Sequence, residues 1–178
     1  MSARTHEASA MTKTVPKIFA VDDLPADILA RIGKIVAWWG YLQFQLGVII
    51  RVATKLPRDT GNVLTIGPDL GALCGIIKTL AHSDHWIKDE SIRNELVKLA
   101  NDVRDKSAKR NDYAHGVFGF SDDDQKVFVL HLLKKHPSHR ITPGTQVLNQ
   151  AFLDQTVDEA RDLWSRAQDL TDRLKALR

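Results

Sequence analysis

One cysteine, Cys74, stands in the whole chain, which excludes an internal disulfide and any zinc site built from several cysteines. It sits among Leu73, Gly75 and Ile76, the surroundings of a buried, inert thiol rather than a nucleophile, and a lone thiol fits a reducing compartment. Charge of neither sign dominates: 25 Lys and Arg against 22 Asp and Glu leave a formal +3. So mild a balance permits a nucleic-acid partner without demanding one, because a binding footprint needs its cations clustered on one face. Long hydrophobic runs are missing too. The most apolar stretch, 35–50, is interrupted by Gln43 and Gln45 and falls short of the ~20 residues that cross a bilayer. No apolar signal region precedes it. The expectation is a cytoplasmic protein with no membrane partner.

What is present suits one domain. A chain of 178 residues with 43% apolar content can bury a single core. Residues 1–20, rich in Ser, Thr and Ala, are expected to be disordered, leaving 21–178 as the folded unit. Asp22, Asp23, Leu24 and Pro25 read as a helix start. From there Leu29, Ile32, Val36, Trp39, Leu42, Leu46 and Ile49 recur at three- and four-residue steps as one buried face. Ile35, Trp38, Tyr41, Val48 and Val52 mark a second. A helix apolar on two sides either sits in the middle of a monomeric bundle or offers one side to a second subunit. Residues 57–68, with two prolines and two glycines, read as a loop.

Asp69 is placed to cap a shorter helix whose face is Leu70, Leu73, Ile77 and Leu80. His82 and His85 follow where that helix frays. An H-x2-H pair without a further ligand at standard spacing reads as solvated loop histidines, so no metal and no cofactor are expected. Asp89 opens the next helix, with Ile92, Leu96, Leu99 and Val103 as its stripe. The same steps pass through Ser107 and land on Arg110 and Ala114. A guanidinium where Leu or Ala belongs is costly unless it meets a partner or a wet cleft. One explanation is a carboxylate such as Asp102 or Asp112 for Arg110, with His115 capping the helix C-terminus.

After Gly116 the periodicity changes. The run 117–120, a turn at 121–125 and the run 126–133 read as strand, turn, strand. Residues 134–140, holding Lys134, Lys135 and Arg140, read as a basic loop that is either a solvated linker or a phosphate-contacting patch. A last helix from Asn149 carries Leu153, Val157, Ala160, Trp164, Ala167, Leu170, Leu174 and Leu177 as its stripe. Asp162–Arg166 and Asp169–Arg173 fall at i,i+4 on its exposed side. The fold class is therefore all-α: an up-and-down bundle of about four helices with a small β-hairpin inserted before the last one.

Arginine and histidine together suffice for one kind of chemistry on RNA. The 2′-hydroxyl beside each phosphodiester is a built-in nucleophile. Histidine, with an ordinary pKa of ~6.5, can take or return its proton, worth about 10²–10⁴ in rate. Arginine stabilises the charge of the pentavalent transition state. His115 lies five positions beyond Arg110, about 140° round a regular helix. The two converge only if the helix unwinds at Gly116, a good C′ residue, or if a second subunit completes the site.

Arg110, four residues and then His115, with Asn111 directly after the arginine, resembles the R-x4–6-H motif of HEPN domains. Those are small all-α dimers, many of them metal-independent ribonucleases. The resemblance implies that Arg110 and His115 are catalytic and that Asn111 orients the histidine or contacts the phosphate. It implies an RNA substrate, held in part by Lys109, Lys134, Lys135 and Arg140, and a homodimer. The toxin branch of the family adds an antitoxin protein as a candidate partner and a toxin or phage-defence setting. That branch carries a tyrosine two positions after the histidine, where this chain has Val117. Other family members bind RNA or oligomerise without cleaving, which is the alternative function.

Overall fold

Pro25 stands at the N-cap of the first helix and not inside its first turn, its carbonyl accepting from the N–H groups of Ile28 and Leu29 at 3.0 Å. The structure is a computed structural model describing residues 17–18, 24–115, 117–121, 126–135 and 141–177. Asp22, Asp23 and most of the N-terminal segment expected to be disordered lie outside those residues. Helix α1 (Ala26–Thr54) ends at Lys55, whose φ of 56° turns the chain out of the helix. α2 (Arg58–Ile66), α3 (Leu70–Ala81), α4 (Glu90–His115) and α5 (Gln150–Ala176) complete a helical bundle.

The cap expected for α3 forms, and α4 and α5 start on caps of the same kind. Asp69 Oδ1 accepts from Ala72 N at 2.8 Å and Asn149 Oδ1 from Phe152 N at 2.7 Å; before α4, Asp89 Oδ1 accepts from Ile92 N at 3.0 Å. Helices α4 and α5 run antiparallel along a seam of ion pairs: Glu95–Arg173 at 2.8 Å, Asp102–Arg166 at 2.8 Å and Lys106–Glu159 at 4.0 Å. This corrects the placement of Arg166 and Arg173. Their i,i+4 partners sit at 3.8 and 3.4 Å, but both arginines reach across to α4. Helix α5 runs parallel to α1, tied by Arg31 Nε to Asp154 at one end and by Gln45 Nε2 to Thr171 Oγ1, at 2.6 Å, further along.

Trp39, Leu42 and Leu46 of α1, Leu73 and Ile77 of α3, Leu96, Leu99 and Val103 of α4, and Leu153 and Leu163 of α5 are fully enclosed. Each contributes about 1.5–3 kcal/mol of apolar burial. By length and composition α1 is long and apolar enough to cross a membrane, which corrects the reading that its apolar run falls short; in the fold 44% of its most apolar window is buried. Gln45, which interrupts that run, is itself a buried, hydrogen-bonded core residue.

Two expectations about α1 and its successor change. Ile35 joins the core, whereas Val36 and Tyr41 are 39% and 60% exposed. Residues 58–66 are helical rather than a loop, because their glycine serves packing instead of turning. A Cβ at Gly61 would run into the Arg51 side chain, and Gly47 of α1 lies 3.0 Å, measured from an added Cβ, from Thr65 Cβ. α2 thus folds back along the end of α1.

Between α4 and α5 the backbone is extended over β2 (Val117–Ser121), β3 (Lys126–Lys135) and β4 (Ile141–Leu148), antiparallel in that order, with β1 (Lys17–Ile18) on the edge beside β2. Lys134 and Lys135 pair with Thr142 and Ile141, so they belong to a strand and not to a loop. Arg140 lies outside the described residues.

Candidate active site

α4 carries its buried stripe to the end. Ile92, Leu96, Leu99 and Val103 are enclosed, and Ser107, Arg110 and Ala114 continue the stripe half-buried. Tyr113, 3% exposed, anchors the last turn. Its ring packs edge-on against Phe152 at 6.4 Å, setting the end of α4 against the start of α5. Sequence periodicity missed this residue, since Tyr113 stands one step off the stripe.

Arg110 follows Lys106 by about one turn of α4 and, among the described residues, makes no ion pair. Asp102 is held by Arg166 and Glu159 pairs with Lys106. At the start of α5, Asp154 is held by Arg31, and Asp27 of α1 takes Arg31 and Gln150. The Asp102 partner considered from sequence is therefore spent elsewhere, and the Asp112 side chain lies outside the described set. Among the described residues the single hydrogen bond of Arg110 runs from Nη1 to Asn111 Oδ1 at 3.0 Å, and its Nε is enclosed with no acceptor. A buried N–H left unmade costs about 1–3 kcal/mol. The fold thus holds a guanidinium, braced by exposed Asn111, that no described carboxylate neutralises.

His115 is the last residue of α4. Its side chain and that of Lys109 lie outside the described residues, as does Gly116. The backbone places positions 110 and 115 about 7.5 Å apart along the helix axis, so the five-residue offset noted in the sequence is preserved.

The remaining sequence candidates lie elsewhere. His82 and His85 are exposed at the far end of the bundle. A ring nitrogen of His82 sits 2.6 Å from Lys78 O, and the His85 ring packs edge-on against Trp86 at 5.0 Å. No cluster of three His, Cys, Asp or Glu forms among the described residues. Cys74 is buried in the core, and burial raises its thiol above the ordinary range, away from the thiolate that nucleophilic chemistry needs. Searches against protein-family models, curated proteins and solved structures return no match for this chain.

Proposed function

We propose that this protein is a metal-independent endoribonuclease of the HEPN kind, cleaving RNA through attack of the 2′-hydroxyl on its own phosphodiester. The observation that carries the reading is Arg110, kept on a half-buried stripe without a described counter-charge while its neighbours are paired. An anion supplied from outside completes it, and a scissile phosphate matches the guanidinium in charge and fork geometry.

In this mechanism the His115 imidazole removes the 2′-hydroxyl proton. The resulting oxygen bonds to phosphorus, and the P–O5′ bond breaks. Arg110, steadied by Asn111, offsets the charge gathering on the non-bridging oxygens. Protonation of the departing 5′-oxygen leaves a 5′-hydroxyl and a 2′,3′-cyclic phosphate. Base and acid act on opposite sides of phosphorus, and a two-fold homodimer supplies two histidines to one cleft. The extended segment before α5 belongs to this reading as a β-hairpin appended to the bundle, with Lys134, Lys135 and Arg140 as phosphate contacts beside Lys109. The setting is the cytoplasm, with an antitoxin as a further partner.

Incubation with total RNA in excess EDTA tests the proposal, with the wild type beside His115→Ala and Arg110→Ala. Cyclic phosphate ends from the wild type alone support it. Tight RNA binding without cleavage by any of the three selects the non-catalytic RNA-binding reading instead.

A further inference from the structure

Where α1 and α5 end, the link between α3 and α4 runs beside them and leaves a cavity of about 460 Å³, a volume in the range of small-molecule sites. Buried Ala53, Ile87 and Leu174 line it together with Trp86 and Leu177, which stay 43% and 59% exposed. An indole left half in water forgoes much of the burial that so large a ring offers. The cavity lies far from the Arg–His motif. Asp89, also in its lining, stands just before α4 and His115 at the end of that helix, about 39 Å apart along the axis.

Cations stand on the same apolar lining: Lys55, Lys88 and His85. The described lysines that form ion pairs are Lys106 and Lys175, so neither Lys55 nor Lys88 has a counter-charge among the described residues. Asp89 is the one carboxylate in the lining, and its Oδ1 accepts from Ile92 N as the cap of α4. Lys55 is also held in an unfavourable conformation. Its φ of 56° is the one positive value among the described non-glycine residues. Glycine takes that conformation at a helix end without a Cβ penalty. The helix dipole favours a cation there, but Arg51 already supplies one in the last turn of α1.

We propose that this cavity binds a small carboxylic acid with an apolar body, aromatic or medium-chain aliphatic. The body covers Trp86 and Leu177, and the carboxylate meets Lys55 and Lys88. A single anionic head on an apolar body matches this division of the lining. A polyanion would leave charges against Ala53, Ile87 and Leu174 with nothing to pair them. The site stands apart from the nuclease reading and does not depend on it.

Isothermal titration of the full chain with phenylacetate and with octanoate, each beside its uncharged amide, tests the site. The wild type should bind at least one acid with a dissociation constant below about 0.5 mM, within reach of so small a ligand. The matching amide should bind at least 10-fold more weakly, and saturation with the acid should raise Tm. Lys55→Gly is the decisive variant. Glycine suits the backbone there, so the variant should melt no lower than wild type, yet it should bind the acid at least 5-fold more weakly. Trp86→Ala should lose binding, and Lys88→Gln should weaken it while leaving every apolar wall in place. No heat from either acid at millimolar concentration overturns the inference. So does equal binding of acid and amide, or undiminished binding by Lys55→Gly. Flotation of the wild type with phosphatidylglycerol vesicles, lost in Trp86→Ala, would give the same side chains to a lipid surface and overturn it too.

Discussion

Replacing Arg110 with leucine should make the protein more stable and catalytically dead. Leucine continues the stripe of Ile92, Leu96, Leu99 and Val103. It removes the enclosed Nε that has no acceptor among the described residues, relieving about 1–3 kcal/mol. The half-buried leucine adds roughly 1 kcal/mol of apolar burial. Against these stands the hydrogen bond from Nη1 to Asn111, worth about 0.5–1.5 kcal/mol. The net is a gain of about 0.5–3.5 kcal/mol, or some 1–14 °C in Tm for a domain of this size. Urea denaturation followed by circular dichroism gives the first number, and RNA cleavage in EDTA gives the second. Such an opposition of stability and activity marks a residue retained for function. A loss of more than 1 kcal/mol would show that Arg110 is structural and would refute the reasoning.

Other consequences are more local. The Arg173 guanidinium beside Glu95 holds that carboxyl below the usual carboxylate range. A carboxylate so depressed adds stability that is complete above its unfolded pKa of ~4.3 and is lost as pH falls through the folded value. Glu95→Gln should therefore be less stable than wild type at pH 7, with a deficit that shrinks as pH falls below ~4.3, and a deficit independent of pH would dismiss the pair. Neutralising Lys134, Lys135 and Arg140 together should weaken RNA binding and flatten its dependence on salt by up to ~3 in log–log slope; an unchanged slope would remove them from the interface.

Most of the bundle can be read from the chain because local signals and long-range packing agree there. The side chains of Asp69, Asp89 and Asn149 stand at helix starts, and the stripe of α4 predicts its buried face residue by residue. Helix α1 resists such reading because apolar residues surround it, so periodicity alone does not separate buried Ile35 from exposed Val36. Helix α2 was hidden for a different reason. Gly61 looks like a turn residue until the Arg51 side chain is seen lying against it. The ion pairs across α4 and α5 join residues 53 to 78 positions apart, which no local pattern reveals. At the candidate site the sequence supplied the anomaly, a charge on an apolar stripe. Only the fold shows that Asp102, a plausible partner, is committed to Arg166.

The central claim is that Arg110 and His115 cleave RNA without metal. Wild type and His115→Ala, purified in parallel and incubated with total RNA in excess EDTA across pH 5–8, test it most directly. The account predicts cleavage by the wild type alone, with 2′,3′-cyclic phosphate and 5′-hydroxyl ends and a bell-shaped pH profile, because one imidazole must be neutral as base while the other is protonated as acid. Equal cleavage by both proteins, or cleavage that EDTA abolishes, would contradict it.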